Sequence, residues 1–517
     1  MKTNIIRALT AVLFLSCFIG LGSCNKDDTS DDPSLLGERD LPYTYMNWMA
    51  TLPDSLTLAQ ITLPGTHDCA ADEHTGGVPS GSHWDVVCQD FSFPNQLKLG
   101  VRWFDVRYDD IDNRLHHYDY VLSRSLDDII RDARDFLADH PSEVVVFLIK
   151  KEYGGSTDGT FSNKVASVLN GYSDDLFYME NNLPTLGEVR GKIVICTHDN
   201  SNHNGHALGP NYTWPGNTSL HFGNTDHFSF FVQDHYSLNY VDYDIKGNEI
   251  RTLIDISVEH PDRHRIDLNY TSGEKNARAT TIETVAHNLN GNVRNYLLTH
   301  SGWRRCGVIM LNYAGGSDDG RCYSDLVRLI IQHNDFPEIK IGTQTWMGAN
   351  LHIVNYRNGD PIPKVTDPDQ WKTLTTGAYC IYGNIHTGYG YLYNWHAVND
   401  PRGLAPTGYH VPSETEWNTL INYCGGTYAA GMVLKDVGTQ HWWGDHGTNN
   451  YFFTAYPGGR RDTDGAYYAL GESGFWWCST ASDATNAIAY WMNYDNHDVF
   501  QKTKEKIIGY TVRCIKD

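Results

Sequence analysis

The feature that most limits the fold is a continuous apolar run, Val144-Val145-Val146-Phe147-Leu148-Ile149, set a few residues after an amphipathic helix. Such a run, without polar alternation, predicts a strand covered on both faces, as in a parallel sheet. The helix is expected over 125–139, with Leu126, Ile129, Ile130, Ala133, Phe136 and Leu137 on one face at three- and four-residue steps. Ser125 is its N-cap with Asp128 three positions on, and His140-Pro141 stops it. The alternation recurs between about residues 45 and 335. Further strands are predicted at 59–63, 101–106, 113–117, 192–197, 228–233 and 307–311, and further helices at 280–299 and 323–334. Repeated strand–helix alternation over that length predicts an α/β fold, either a parallel barrel or an open sheet.

A chain of 517 residues exceeds one ordinary core, so two domains are expected. The second is predicted to begin near residue 338, at Ile339-Lys340-Ile341-Gly342. From there the text is rich in glycine turns and holds nine of the 14 tryptophans. Its clearest helix is 415–423, and the rest reads as a smaller β-rich α+β domain. A sugar-stacking role for the tryptophans and a calcium loop at Asp462-Thr463-Asp464-Gly465 form the sharper reading of this region. The plainer reading, aromatic core filling and a simple turn, is favoured because aromatics dominate cores by area.

The formal charge of −22 excludes nucleic acid as a partner, since phosphate backbones need a basic face. Any anionic substrate must therefore meet a local cluster of positive groups. The N-terminus reads as an export signal over 1–23. Lys2 and Arg7 precede an apolar stretch from Ala8 to Leu21 that is short for a membrane span. It ends in Leu21-Gly22-Ser23-Cys24, which resembles a bacterial lipoprotein signal with Cys24 as the lipidated residue. An acid-rich tether over 24–44 follows, and the expected location is the outer membrane of an exporting bacterium. The 11 cysteines show no CxxC or metal-like spacing, so a zinc site is not expected. Disulfides are compatible with export, but their pairing cannot be read from sequence.

The chemistry gathers at predicted strand ends. His67 and Asp68 follow the first strand within Leu63-Pro64-Gly65-Thr66-His67-Asp68, and Arg107 follows the second within Phe104-Asp105-Val106-Arg107. His117 closes the third, Lys150 and Glu152 follow the Val144 run, and His198 follows 192–197. Asp234 and Tyr236 follow 228–233, and Asn312 follows 307–311. In a parallel α/β barrel the C-terminal strand ends form one face, where catalytic groups collect. Two imidazoles, several carboxylates and a guanidinium there suit proton transfer on both sides of a phosphate ester.

These motifs, with Pro141-Ser142-Glu143, Lys150-Lys151-Glu152-Tyr153 and Val232-Gln233-Asp234-His235-Tyr236, resemble bacterial phosphatidylinositol-specific phospholipase C over residues 45–335. The resemblance implies an irregular (β/α) TIM-type barrel and cleavage of phosphatidylinositol in a membrane surface to diacylglycerol and inositol 1,2-cyclic phosphate, with GPI-type glycolipids as further candidates. It implies His67 as general base supported by Asn312, and His117 coupled to Asp68 as general acid. Arg107, oriented by Asp105, would sit on the phosphate, and Lys150, Glu152, His198, Asp234 and Tyr236 in the inositol pocket. Calcium-dependent relatives carry Glu-x-Asp where this chain has Asp105-Val106-Arg107, so no metal and no cofactor is expected. The chain departs from the family twice. His198 stands for an arginine, and Asn312 for an aspartate that would stabilise the imidazolium by charge. The alternative is a weak or inactive barrel on a surface lipoprotein that binds glycan or lipid. Residues 338–517 resemble the Fibrobacter succinogenes major paralogous domain through Ile341-Gly342, Trp346-Met347-Gly348-Ala349-Asn350, Gly408-Tyr409-His410-Val411-Pro412 and Gly509-Tyr510-Thr511-Val512-Arg513-Cys514. That resemblance suggests a C-type-lectin-like fold; a glycan contact by this domain is what the sharper reading of its tryptophans would add.

Overall fold

A computed structural model of the chain describes residues 43–72, 86–109, 112–152, 160–197, 216–224, 228–238, 242–275, 281–300, 304–315, 325–384, 389–437, 441–444 and 447–517. Cys24, the signal and tether before residue 43, and His198 lie outside the described residues. The first region is built on β1 (Leu63–Thr66), β2 (Trp103–Tyr108), β3 (Arg114–His117), β4 (Tyr120–Ser125), β5 (Val145–Lys151), β6 (Phe177–Tyr178) and β7 (Ile193–Thr197). It continues with β8 (Thr218–Asn224), β9 (Ser229–Asp234), β10 (Ser237–Leu238), β11 (Arg265–Tyr270), β12 (Glu274–Lys275) and β13 (Val308–Leu311). The main sheet runs β6-β7-β5-β2-β1-β13-β11-β9-β8. Every pairing along it is parallel except β8 with β9. The result is an irregular barrel, a curled mixed sheet that does not close between β6 and β8 among the described residues.

The Val144 run behaves as its composition demands. β5 lies between β2 and β7, and Val145 through Ile149 are all buried. The preceding helix, Leu126–Asp139, starts at Ser125, whose hydroxyl accepts from Asp128 N while the Asp128 carboxylate accepts from Ser125 N. It buries Leu126, Ile129, Ile130, Ala133 and Leu137. Gly65 lets β1 sit deep between its neighbours. A Cβ there would fall 2.3 Å from Met310 Sδ on β13 and 3.1 Å from the Trp103 carbonyl on β2.

Four expectations shift. The first strand begins at Leu63, because Leu58–Gln60 coil into a 3-10 turn instead. Arg107 and Lys150 lie inside β2 and β5, not after them. β3 pairs antiparallel with β2 and β4, so His117 comes from a hairpin on the sheet's flank and not from a parallel strand end. The helices Phe93–Leu99 and Asp242–Glu259 and the strand β11 were not foreseen.

The second region begins with the hairpin Glu338–Ile341 and Gln344–Met347. It contains a three-stranded antiparallel sheet of Ser473–Ala481, Asn486–Asn493 and Val499–Glu505. Trp346, Trp371, Trp395, Trp417, Trp442, Trp476 and Trp477 are buried, and Trp443 is exposed, so the tryptophans are chiefly core. Asp462 to Gly465 is a turn, closed by Gly465 N donating to the Asp462 carbonyl at 3.0 Å. Two buried arginines are held without carboxylates: Arg461 donates to the carbonyls of Val365, Thr366 and Gly465, and Arg513 to Met347 and Phe453. The two regions share apolar packing, with Phe452 against Tyr45 and Phe336, and Gln332 donating to the Asn449 carbonyl. The described cysteines, Cys69, Cys88, Cys196, Cys306, Cys380, Cys424, Cys478 and Cys514, are all buried, and none is in a disulfide. No described helix is long and apolar enough to cross a membrane.

Candidate active site

The register of β1 against β13 pairs Thr66 with Leu311, so the next residues, His67 and Asn312, leave the sheet side by side. His67 Nδ1 lies 2.9 Å from Asn312 Oδ1. An amide oxygen only accepts, so Nδ1 carries the hydrogen and Nε2 keeps its lone pair. That lone pair faces Arg107 Nη2, which donates to it. Gln89 braces the junction by donating from Nε2 to the carbonyls of His67 (2.7 Å) and Leu311 (2.9 Å). The Tyr270 ring, at the end of β11, meets the imidazole edge-on at 6.1 Å.

Asp105 and Arg107 are two apart on β2 and share a face. Arg107 Nε donates to Asp105 Oδ2 at 3.2 Å, Nη1 donates to Glu152 Oε1 at 2.6 Å, and Asp68 Oδ2 stands 3.7 Å from Nε. Glu152 follows β5, whose Lys150 is opposite Arg107 in register, with Lys150 Nζ 3.6 Å from Glu152 Oε2. Glu152 also accepts from Tyr118 N at 3.2 Å, which ties the β3–β4 turn to the site. That turn is tight, with Tyr118 at φ +52° between paired His117 and Tyr120. It sets His117 so that Nδ1 donates to the Val86 carbonyl at 2.8 Å and Nε2 looks toward Asp68 Oδ2 at 3.8 Å. Asp68 itself takes a left-handed conformation, φ +46°, which an aspartate tolerates better than most residues.

Burial shapes the charges. It lowers His67 well below the usual imidazole value, reinforced by Arg107 and His117, so His67 is neutral near pH 7. His117 is pushed down to about 4 by burial and Arg107. Burial raises the Asp68 carboxyl well above its usual value, and Arg107 only partly offsets this. Burial opposes the charge on Arg107, but Glu152, Asp105 and Asp68 outweigh it and hold the guanidinium firmly protonated. Burial likewise opposes the charge on Glu152, yet Arg107 and Lys150 bring it down to about 2. A neutral imidazole with a lone pair, a fixed cation and a second imidazole beside a buried carboxyl can take one proton, steady an anion and return a proton.

The structure thus brings His67, Asp68, Asp105, Arg107, His117, Lys150, Glu152 and Asn312 into one connected cluster. Glu152, expected in a substrate pocket, is instead chiefly the partner of Arg107. Asp234 ends β9 and Tyr236 follows it, both half-buried, two strands from β13 and at the same, C-terminal end of the parallel strands. Three contributors were not foreseen: Gln89, the Val86 carbonyl and Tyr270. Only Tyr270 carried a sequence signal, as the residue closing an alternating strand.

Residues 62–199 match the phosphatidylinositol-specific phospholipase C X domain, and residues 339–516 match the Fibrobacter succinogenes major domain. The first match spans β1, β2, β3 and β5, which carry or adjoin His67, Asp105, Arg107, His117 and Lys150. Residues 62–199 form a phosphatidylinositol-specific phospholipase C X domain. A 1-phosphatidylinositol phosphodiesterase of Staphylococcus aureus is 28% identical over 303 residues, covering 56% of this chain and 94% of that protein. The Listeria monocytogenes 1-phosphatidylinositol phosphodiesterase is 30% identical over 169 residues, 31% of this chain and 50% of its own length. A solved Staphylococcus aureus phosphatidylinositol-specific phospholipase C aligns with a TM-score of 0.48 at 26% identity, over 56% of this chain and 97% of its own. The X domain therefore has bacterial phosphodiesterase relatives that extend beyond it to most of the barrel.

Proposed function

We propose that the X domain and the rest of its barrel cleave phosphatidylinositol to diacylglycerol and inositol 1,2-cyclic phosphate, using side chains alone for acid–base chemistry. The observation that carries this reading is the pair of imidazoles flanking Arg107, each with Nδ1 committed and Nε2 directed into the cluster. His67 Nε2 takes the proton of the inositol 2-hydroxyl, whose oxygen attacks phosphorus. For this the hydroxyl displaces Arg107 Nη2 from the imidazole, and the freed N–H turns to a non-bridging phosphate oxygen. Glu152 and Asp105 keep the guanidinium in place during the exchange. His117 protonates the departing diacylglycerol oxygen.

A resting His117 held to about 4 carries little proton at pH 7, whereas Asp68 beside it is biased to keep one. In this reading the pair stores one proton on Asp68, and an entering phosphodiester anion draws it onto His117. Lys150, Asp234 and Tyr236 line the inositol pocket, with His198 as a further contact. Cys24 is the anchor in the same reading, so labelled fatty acid should be incorporated into the exported chain and lost in Cys24→Ala.

The test is direct. The protein without residues 1–23 is incubated with phosphatidylinositol vesicles, with and without EDTA, and inositol 1,2-cyclic phosphate is followed. The expected result is product in both arms; no product, or product only with calcium, overturns the reading. His67→Ala and His117→Ala should each reduce turnover by roughly 10²–10⁴ while the fold persists.

A further inference from the structure

We propose that Asp68, Cys88 and His117 form a binding site for one thiophilic divalent cation, zinc foremost, whose occupation switches the enzyme off. The inhibitory half rests on the phospholipase reading above; the binding half does not. An Asp68 carboxylate oxygen, the Cys88 sulfur and a His117 ring nitrogen lie within 4.8 Å of one another. Oxygen, sulfur and nitrogen in that combination are the donor set zinc takes, and calcium or magnesium would not choose the thiol.

Each donor is aimed before any ion arrives. His117 Nδ1 donates to the Val86 carbonyl at 2.8 Å, which leaves the lone pair on Nε2; a backbone carbonyl behind the imidazole is the usual support of a metal-bound histidine. Nε2 stands 3.8 Å from Asp68 Oδ2, too far for a hydrogen bond. Two ligands about 2.0–2.1 Å from a tetrahedral ion sit roughly 3.4 Å apart, so only a few tenths of an ångström must close. Asp68 Oδ2 is buried and makes no hydrogen bond, an acceptor without a donor in a residue 1% exposed. Cys88 is held from both sides, its N–H donating to Ala71 O at 2.8 Å and its carbonyl accepting from Tyr313 N at 2.8 Å. Its thiol makes a weak 3.7 Å contact with Val86 O, which an ion would readily replace.

Asp68 and Cys88 bind the ion as anions, so the thiol proton, and the carboxyl proton where Asp68 holds one, pass to solvent. Their two negative charges balance the ion, and a fourth position stays open to water or a phosphate oxygen. Coordination occupies the His117 Nε2 lone pair that must otherwise carry the proton to the leaving group.

The experiment uses the chain without residues 1–23, stripped of metal and titrated first with cadmium and then with zinc. Cadmium should give a thiolate charge-transfer absorption at one equivalent, and this should vanish in Cys88→Ser and in Cys88→Ala. Zinc should bind the wild type roughly 100-fold more tightly than either variant by calorimetry. With phosphatidylinositol vesicles, zinc should stop the wild type, EDTA should restore it, and the Cys88 variants should turn over normally while needing roughly 100-fold more zinc for inhibition. Equal cadmium absorption in wild type and a folded Cys88 variant overturns the site; tight zinc binding with undiminished turnover overturns the switch. Absence of turnover in the stripped wild type would count against the phospholipase reading alone, because the cadmium titration reads the site without catalysis.

Discussion

Two arginines, one just before β2 and one near its far end, are used by the protein in opposite ways. Arg102, just before the strand, donates to Glu143 Oε2 through Nε (3.1 Å) and Nη2 (3.0 Å) and to the carbonyls of Leu97, Val101, Tyr45 and Met46. Glu143 in turn accepts from Met49 N and the Ser142 hydroxyl. Arg107, near the other end, also meets carboxylates, but around it Asp68 Oδ2 and Asp105 Oδ1 are buried without hydrogen bonds. A network whose donors and acceptors are all used holds a fold together. One with acceptors left over is poised for something that is not yet there.

Substitution should separate the two ends. Arg102→Met leaves Glu143 buried without its cation and is expected to remove about 3–5 kcal/mol of stability, measured by urea unfolding. Turnover per folded molecule should not change. Replacing the pair together, Arg102→Met with Glu143→Leu, should recover much of the loss. Arg107→Met should do the reverse, lowering kcat/KM by roughly 10²–10³, or about 2.7–4 kcal/mol of barrier, with a retained circular dichroism spectrum. Similar activity losses at both arginines would abolish the distinction.

The same contrast explains what could be read in advance. His67, Arg107, Lys150 and Asn312 were legible because β1, β2, β5 and β13 are parallel neighbours, so strand-end residues are brought together by register alone. β11 was missed although Arg265-Ile266-Asp267-Leu268-Asn269-Tyr270 alternates polar with apolar residues, because Arg265 and Asp267, which pair with each other two positions apart, break the continuous apolar run expected of a buried parallel strand. With β11 went Tyr270. The Val86–Gln89 segment has no periodicity, and Gln89 reaches a carbonyl 222 residues away, a contact no local pattern announces. The tryptophan-rich second region was legible as core because ring area outweighs the single indole N–H that each must place.

Acid should distinguish the two ends by smaller amounts. Burial holds His117 at the site and His333 near the opposite end at about 4, below an unfolded value of about 6.5. Below pH 6.5 the unfolded chain takes up protons that these folded imidazoles refuse, so stability falls as pH drops from 6.5 to 4. Each is expected to contribute on the order of 3 kcal/mol to that loss. His117→Gln and His333→Gln should each flatten urea-measured stability over this range, and only the first should affect turnover. An unchanged pH slope in either variant would show that the imidazole is not held neutral by burial.

The smallest effect falls on the base itself. Asn312 Oδ1 accepts from His67 Nδ1 at 2.9 Å but brings no charge to favour the imidazolium. Asn312→Asp would set a carboxylate at that distance and raise the His67 pKa against the burial and Arg107 that lower it. The acid limb of the kcat/KM profile, where His67 becomes protonated and idle, should therefore move to higher pH. Above that limb a better-stabilised imidazolium should quicken proton abstraction by roughly tenfold or less. Because Asp105 and Glu152 already pair with Arg107, the extra negative charge should also slightly weaken binding of the phosphodiester, seen as a raised KM. An acid limb that does not move would mean that His67 is not the group titrating there, and the base would have to be sought elsewhere in the cluster.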